Sequence, residues 1–403
     1  MHRKTLLVYV DVFERFGFFA KCVKELGMQG YDVWIATARY SVVRAARKIS
    51  GNVLILRQTA DLRTAVPPAA YDKSLSVLNG YHSRTEAETI GKSVWAVLDA
   101  FHRANPLDMV WIWNGTTTIA RTFGTFAAQK GIRSRYFELS NLGERIFVDP
   151  EGTSGASYLA KCPEILDTVS ADDTEFDAWK REYRANYAQP KQAANRSKLP
   201  WRTLYDLVGY RMGYLEEDRR NPIRLIWQRL RNKAVQAHWP AADLSVPYLF
   251  LPLQVSDDSQ VKLYSCYSNT DMIQQALKLC REKGLGLIVK IHPAESDHKA
   301  IEAIVGLEKV HGFRIAGNPT PELIDNAAVI AVNNSTVGLE AMIAGKEVEV
   351  FGNAYYRRFD RHRLKAYVLR YLLPADYFGD KPVPSTTIEK ILAEEWWTLK
   401  ELS

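Results

Sequence analysis

The chain has 403 residues, 47% hydrophobic and 25% charged, close to the globular average, which excludes a disordered or collagen-like polymer. Lys and Arg number 53 against 46 for Asp and Glu. The net charge of +7 favours anionic partners (nucleic acid, a phosphorylated small molecule or an anionic lipid surface) without choosing among them. The length predicts two or three units at roughly 100–200 residues per domain. Thr5–Val10 reads as a buried strand, Phe16–Leu26 as a helix and Tyr31–Thr37 as a second buried strand. Further strands are expected at Val53–Leu56, Asp108–Trp113 and Arg135–Leu139, with helices around Trp95–His102 and over Ile119–Lys130. This alternation predicts an α/β lobe with a parallel sheet over residues 1–170.

Residues 171–244 change texture. Asp172–Lys198 is polar and helical, and Arg211–Val235 is strongly basic. Pro222 suits a first helical turn, and Ile223, Ile226, Trp227, Leu230 and Ala234 form one apolar stripe, with Asn232 pointing the opposite way. We read this stretch as a connector. A second α/β lobe is expected over 245–380, from the strands Tyr248–Pro252, Leu287–Ile291, Val329–Val332 and Glu347–Phe351 with helices between them. Residues 381–403 end in an amphipathic helix. The fold class is therefore α/β, two Rossmann-like lobes in the manner of GT-B glycosyltransferases, joined by a helical connector.

The four cysteines, Cys22, Cys162, Cys266 and Cys280, form no C-x-x-C pair, and no His stands at zinc-finger spacing. No disulfide and no metal is expected, and a reducing cytoplasm fits. The apolar run at the N-terminus is broken by Asp11, Glu14 and Arg15, too early for a signal peptide. No window approaches the ~18 apolar residues of a membrane span.

Four stretches could carry chemistry. In the first, a buried strand ends at Val332, and Asn333, Asn334, Ser335 and Thr336 supply turn and cap residues before a helix. Free backbone N–H groups and the helix dipole make this a seat for a phosphate, and Gly338 allows close approach; the alternative is a capped helix without a ligand. In the second, Lys290-Ile291-His292-Pro293 delivers a cation and an imidazole to the same sheet edge, though a lone strand-end His is often purely structural. Third, the stretch from Leu253 through Gln254, Asp257 and Asp258 to Gln260 mixes amides and carboxylates after a strand, and is either a sugar-binding loop or inert. Fourth, Glu138 near a strand end is a candidate acid or base, or a capping carboxylate.

Taken in order, Pro252–Gln260, Lys290–Pro293 and Asn334–Tyr356 resemble the bacterial capsular-polysaccharide-synthesis family, which includes retaining β-Kdo transferases. Phe137, Glu138, Asp149, Gly152 and Ser157 resemble its upstream pattern more loosely. The resemblance implies a glycosyltransferase that takes Kdo from CMP-Kdo, an anionic donor, to a lipid-linked oligosaccharide or polysaccharide, needing no cofactor or metal. By that analogy Gln254, Gln260, Lys290, His292, Pro293, Asn334, Ser335, Thr336 and Gly338 bind the donor. Retention by double displacement requires a carboxylate nucleophile. Glu138, Asp257 and Asp258 are available, and Asn232 is read as standing where an acidic nucleophile is expected, which would make the chain a disabled variant; the alternative is an ordinary exposed Asn. A UDP-sugar or CDP-glycerol donor is the competing enzymatic reading. Nucleic-acid binding through the Arg-rich helix is disfavoured, since no aromatic stacking platform interleaves its charges, whereas contact of that helix with a membrane surface is compatible with a lipid-linked acceptor.

Overall fold

The computed structural model describes residues 3–59, 70–140, 142–186, 199–216 and 239–395. The chain divides into two compact units, Met1–Arg219 with Arg361–Ser403, and Arg220–Asp360.

The first unit holds a seven-stranded sheet. Its strands are β1 (Lys4–Tyr9), β2 (Tyr31–Thr37), β3 (Val53–Ile55), β4 (Met109–Trp113), β5 (Arg133–Leu139), β6 (Arg145–Asp149) and, from the far end of the chain, β12 (Leu373–Pro374). The order is β12-β6-β5-β4-β1-β2-β3. The five strands from β5 to β3 run parallel, and β6 and β12 add antiparallel pairings. The helices are α1 (Phe13–Met28), α2 (Tyr40–Ala46), α3 (Leu75–Leu78), α4 (Arg84–Ala104), α5 (Thr118–Lys130), α6 (Tyr158–Lys161), α7 (Asp173–Asn186) and α8 (Leu199–Arg211). The first strand and the residue after it show why the strands read as unbroken apolar runs. Leu6, Val8 and Val10 enter a core cluster with Phe16 and Phe19 of α1, while Leu7 and Tyr9 enter another with Val94 of α4 and Phe123 of α5. Both faces of the sheet are covered, so both sets of alternate side chains must be apolar.

The second unit has a five-stranded parallel sheet of β7 (Tyr248–Pro252), β8 (Gly286–Lys290), β9 (Arg314–Ile315), β10 (Val329–Val332) and β11 (Glu347–Val350), in the order β11-β10-β7-β8-β9. Its helices are α9 (Ser259–Tyr264), α10 (Asn269–Lys283), α11 (His298–His311), α12 (Thr320–Asn326) and α13 (Thr336–Ile343). A capping box of Ser268 and Asp271 starts α10, and Gly284, at φ 66°, ends it.

The boundary expected at residue 380 lies instead at Asp360, because the chain then returns to the first unit. There α14 (Arg361–Ala366) is fastened by ion pairs from Arg361 to Asp173 at 3.0 Å and from Arg363 to Asp167 at 2.6 Å. Arg370 pairs with Glu175 at 2.5 Å, and β12 lies on β6. The final helix, α15 (Ser385–Leu392), buries Ile388 and Ile391 in the cluster that contains β1. Buried Arg135 donates to the carbonyls of Ile391 and Ala393 at 2.9 and 2.6 Å, closing the end of that helix. The connector expected at 171–244 is in part integral to the first unit: α7 buries Phe176 and Tyr183, and Asp206 of α8 accepts from the Ser41 backbone N–H at 2.9 Å.

Candidate functional site

In the second unit the chain leaves β7 toward β8 and β9 on one side, then toward β10 and β11 on the other. The strand order therefore reverses between β7 and β10, the place where open parallel sheets receive ligands beyond their carboxyl ends. Gln254 follows β7 and Asn333, Asn334 and Ser335 follow β10, so the sheet brings these predicted residues together. The Asn334 N–H donates to the Gln254 side-chain oxygen at 3.5 Å, and the Asn334 amide donates to the carbonyls of Gln260 and Tyr264 at 2.7 and 3.2 Å. Gln260 thus takes part through its backbone carbonyl. The Asn333 amide donates to the Tyr267 carbonyl at 3.1 Å. The side-chain oxygens of both Asn333 and Asn334 are buried and accept no hydrogen bond among the described residues. Ser335 caps α13, accepting from the Val337 N–H at 3.3 Å, and Thr336 is its first residue.

His292 follows β8, the other neighbour of β7. The Ala294 N–H donates to its Nδ1 at 3.0 Å, which leaves Nε2 to carry the proton of the neutral ring. Desolvation pushes the imidazole below its ordinary pKa, against the pull of Asp258 and Glu295. Pro293 completes a turn in which the Glu295 N–H donates to the His292 carbonyl at 2.9 Å.

Three predicted residues are placed differently from their expected roles. Lys290 is half-buried and its ammonium donates to the Asn318 carbonyl, toward the β9 side; burial lowers its pKa. Asp258 caps α9, accepting from the Gln260 N–H at 2.8 Å, which is a structural role for a residue expected to be catalytic. Gly338 does not open space for a ligand. The Tyr356 ring fills that space, and a Cβ on residue 338 would lie 2.6 Å from the Tyr356 hydroxyl.

Two contributors carry no signal in the sequence. Buried Glu295 accepts from the N–H and hydroxyl of Ser256 at 2.8 and 2.7 Å and from the N–H groups of Ser296 and Asp297, joining the loops after β7 and β8. Asn269 exchanges hydrogen bonds with the Gln254 backbone at 3.3 and 2.7 Å. A Glu in a polar loop or an Asn at a helix start has no periodicity to mark it, so only the fold reveals them.

In the first unit the strand order reverses between β4 and β1. Asp11 follows β1 and Asn114 follows β4, and each has a buried side-chain oxygen with no hydrogen-bond partner among the described residues. Asn114 holds φ 57° and Ser154 φ 55°, the left-handed region that non-glycine residues occupy only at a cost. Near the end of β5, Glu138 accepts from the Ser154 hydroxyl at 3.0 Å. Asn232 lies outside the described residues, as does most of the basic stretch expected at 211–235. Among the described residues no cluster of His, Cys, Asp and Glu could hold a metal ion, and no helix is long and apolar enough to cross a membrane.

Several known proteins are similar to this chain. The capsule polysaccharide export protein KpsS of Escherichia coli is 24% identical over 287 residues, 63% of this chain and 69% of KpsS. Protein FixF of Sinorhizobium fredii (strain NBRC 101917 / NGR234) is 32% identical over 160 residues, 36% of this chain and 38% of FixF. Among solved structures, the KpsC beta Kdo 2,7 transferase of Thermosulfurimonas dismutans shares 17% identity at a TM-score of 0.39, over 69% of this chain and 82% of that one. Residues 109–359, from β4 through the whole second sheet to Phe359, match the family described as capsule polysaccharide biosynthesis protein, and with well over half its length inside that match the chain belongs to this family.

Proposed function

We propose that the chain is a glycosyltransferase of capsule or related surface-glycan synthesis, which takes Kdo from CMP-Kdo to a sugar of a lipid-linked glycan on the cytoplasmic side of the membrane. The observation that carries this reading is the β7–β10 switch point. A helix start at Ser335, two buried amides with free acceptor oxygens, and an imidazole with Nε2–H all follow the carboxyl ends of neighbouring strands. The helix N-terminus and the imidazole N–H suit a phosphate, and the acceptor oxygens suit the amino group of a base or a sugar hydroxyl, the groups of a nucleoside monophosphate. Motif resemblance supplies the choice of CMP and of Kdo. Glu138, held by Ser154 beside the first unit's switch-point residues, is the candidate carboxylate for the acceptor hydroxyl.

CMP is expected to raise the melting temperature of the full chain, and His292→Gln and Ser335→Ala together to weaken CMP binding roughly tenfold, by isothermal titration calorimetry. Binding should also take up protons. An adjacent phosphate stabilises imidazolium, so the lowered His292 pKa rises on binding and affinity increases as pH falls from neutrality. Stabilisation by UDP or CDP without CMP would replace the donor, and no nucleotide response at all would remove the reading.

Retention by double displacement is part of the same proposal, with Asn232 at the place of the acidic nucleophile. Asn232→Asp is expected to gain turnover of CMP-Kdo and to trap a Kdo adduct visible by intact-protein mass spectrometry. A variant with neither property excludes that assignment.

A further inference from the structure

Helix α8 is inside out. Its inward side is polar: Arg202 pairs with Glu14 at 3.3 Å and lies 3.8 Å from the Phe13 ring centroid, Asp206 accepts from the Ser41 N–H, and the Tyr210 hydroxyl accepts from Arg39 at 2.6 Å. Gly209 is where the helix comes closest, since a Cβ there would stand 2.8 Å from that of Tyr40. Its outward side is mostly apolar, with Trp201 69% exposed, Leu204 49%, Leu207 51%, Val208 42% and, just beyond the helix, Met212 49%, and exposed Arg211 stands among them. A water-facing helix of a monomeric protein presents the reverse pattern.

Beside this face runs a groove of about 870 Å³ between α1, α2 and α8, walled by Phe13, Tyr40, Trp201 and Tyr205. Its rim carries Arg44, Arg47 and Lys48 with exposed Ile49, and among the described residues no acidic side chain lines it. Among the described residues these three cations form no ion pair; Arg44 instead lies 4.5 Å from the Tyr205 ring centroid. Apolar side chains that include a Trp, flanked by unpaired cations and an aromatic groove, match the interface of an anionic bilayer, where Trp sits at headgroup depth and basic side chains meet phosphates.

We propose that the α2–α8 face docks this protein on an anionic lipid surface, with Trp201, Leu204, Leu207 and Val208 entering the headgroup boundary and Arg44, Arg47 and Lys48 contacting lipid phosphates. The charge complementarity selects lipid over a second copy of the chain, whose identical face would oppose cation to cation. The inference is independent of the donor nucleotide, and it places membrane contact on α2 and α8 rather than on the basic stretch 211–235.

The test is co-sedimentation of the full chain with vesicles of phosphatidylcholine, with and without phosphatidylglycerol. Binding is expected only to the anionic vesicles, weakening with salt. Arg44→Gln, Arg47→Gln and Lys48→Gln together should lower affinity on the order of 100-fold, roughly fivefold per charge. Leu204→Ser with Leu207→Ser should abolish binding while leaving nucleotide-induced stabilisation intact, and both leucines are about half exposed, so folding should survive. As a second readout, brominated acyl chains should quench wild-type tryptophan fluorescence more than that of Trp201→Phe. Equal binding by wild type and both variants, no binding to anionic vesicles, or a dimer that the Leu→Ser pair converts to monomer in sedimentation velocity overturns the proposal.

Discussion

Asp149→Ala is expected to destabilise the first unit by about 4 kcal/mol, because it strands several buried donors at once. Asp149 is fully buried at the end of β6. One of its carboxylate oxygens accepts from the N–H groups of Glu151, Gly152 and Tyr158 at 2.8, 3.1 and 2.9 Å. The other accepts from the Leu159 N–H at 3.2 Å and the Tyr371 hydroxyl at 2.8 Å. Burial raises the carboxyl pKa, and these donors oppose the rise. Tyr371 comes from the returning segment, so one side chain ties β6, the turn into α6 and the chain after residue 360. Asp149→Asn keeps one acceptor oxygen and should cost about half as much, and Tyr371→Phe about 1 kcal/mol. Urea denaturation of the three variants checks the order, and a loss under about 1 kcal/mol for Asp149→Ala would contradict it.

The same bracket explains a motif whose meaning the sequence alone leaves open. Gly152 is packed so closely that a Cβ would meet the Ala156 carbonyl oxygen at 3.0 Å, and the Ser157 hydroxyl donates to the Ser154 carbonyl at 2.7 Å. Asp149, Gly152 and Ser157 thus shape the turn that keeps Ser154 left-handed with its hydroxyl on Glu138. They position a candidate catalytic carboxylate instead of performing chemistry themselves. Asp149→Ala should for this reason lower activity even under conditions where the protein stays folded.

What the sequence makes legible follows from locality. Strands buried on both faces are short apolar runs, and β1, β2, β4, β7 and β10 stand within a residue or two of where those runs predict them. β6 and β12 have no such signature. RIFVD and a two-residue Leu-Pro pair carry little periodicity, and their pairing joins residues more than 220 apart. The return of the chain at Arg361 is equally invisible, since an amphipathic helix declares that it packs but not on which unit. The second unit's site is legible where polar turn residues follow buried strands, as at Gln254, His292 and Asn334. It is illegible where three-dimensional placement decides what a side chain does. Lys290 is turned toward Asn318, Asp258 serves as a cap, and Glu295 links two loops from within a polar stretch.

Gly338→Val is expected to disable the second unit's site from a position that needs no ligand contact. Gly338 lies in α13, one turn past the Ser335 cap, and it is buried against the fully buried Tyr356 ring. Replacing a helical Gly gains up to about 1 kcal/mol of propensity. Overpacking costs about 1–3 kcal/mol where the neighbour cannot yield. Here a Cβ would meet the Tyr356 hydroxyl at 2.6 Å and its ring carbons at 2.9 and 3.0 Å, and the two branches of Val add further contacts, so the packing cost wins. The ring cannot swing aside freely, since the Tyr356 hydroxyl donates to the Ser335 carbonyl; burial keeps that phenol protonated, its pKa raised well above the ordinary value. Displacing the ring therefore pulls on the turn that starts α13. Gly338→Val should lose about 2 kcal/mol of stability and at least roughly tenfold in CMP affinity, whereas Gly338→Ala falls between it and wild type. Adding Tyr356→Phe to Gly338→Ala removes the closest contact, so the pair should lose less than the sum of the single changes. Chemical denaturation with calorimetric titration reads both quantities, and simple additivity in the double variant would show that the Tyr356 contact is not the cause.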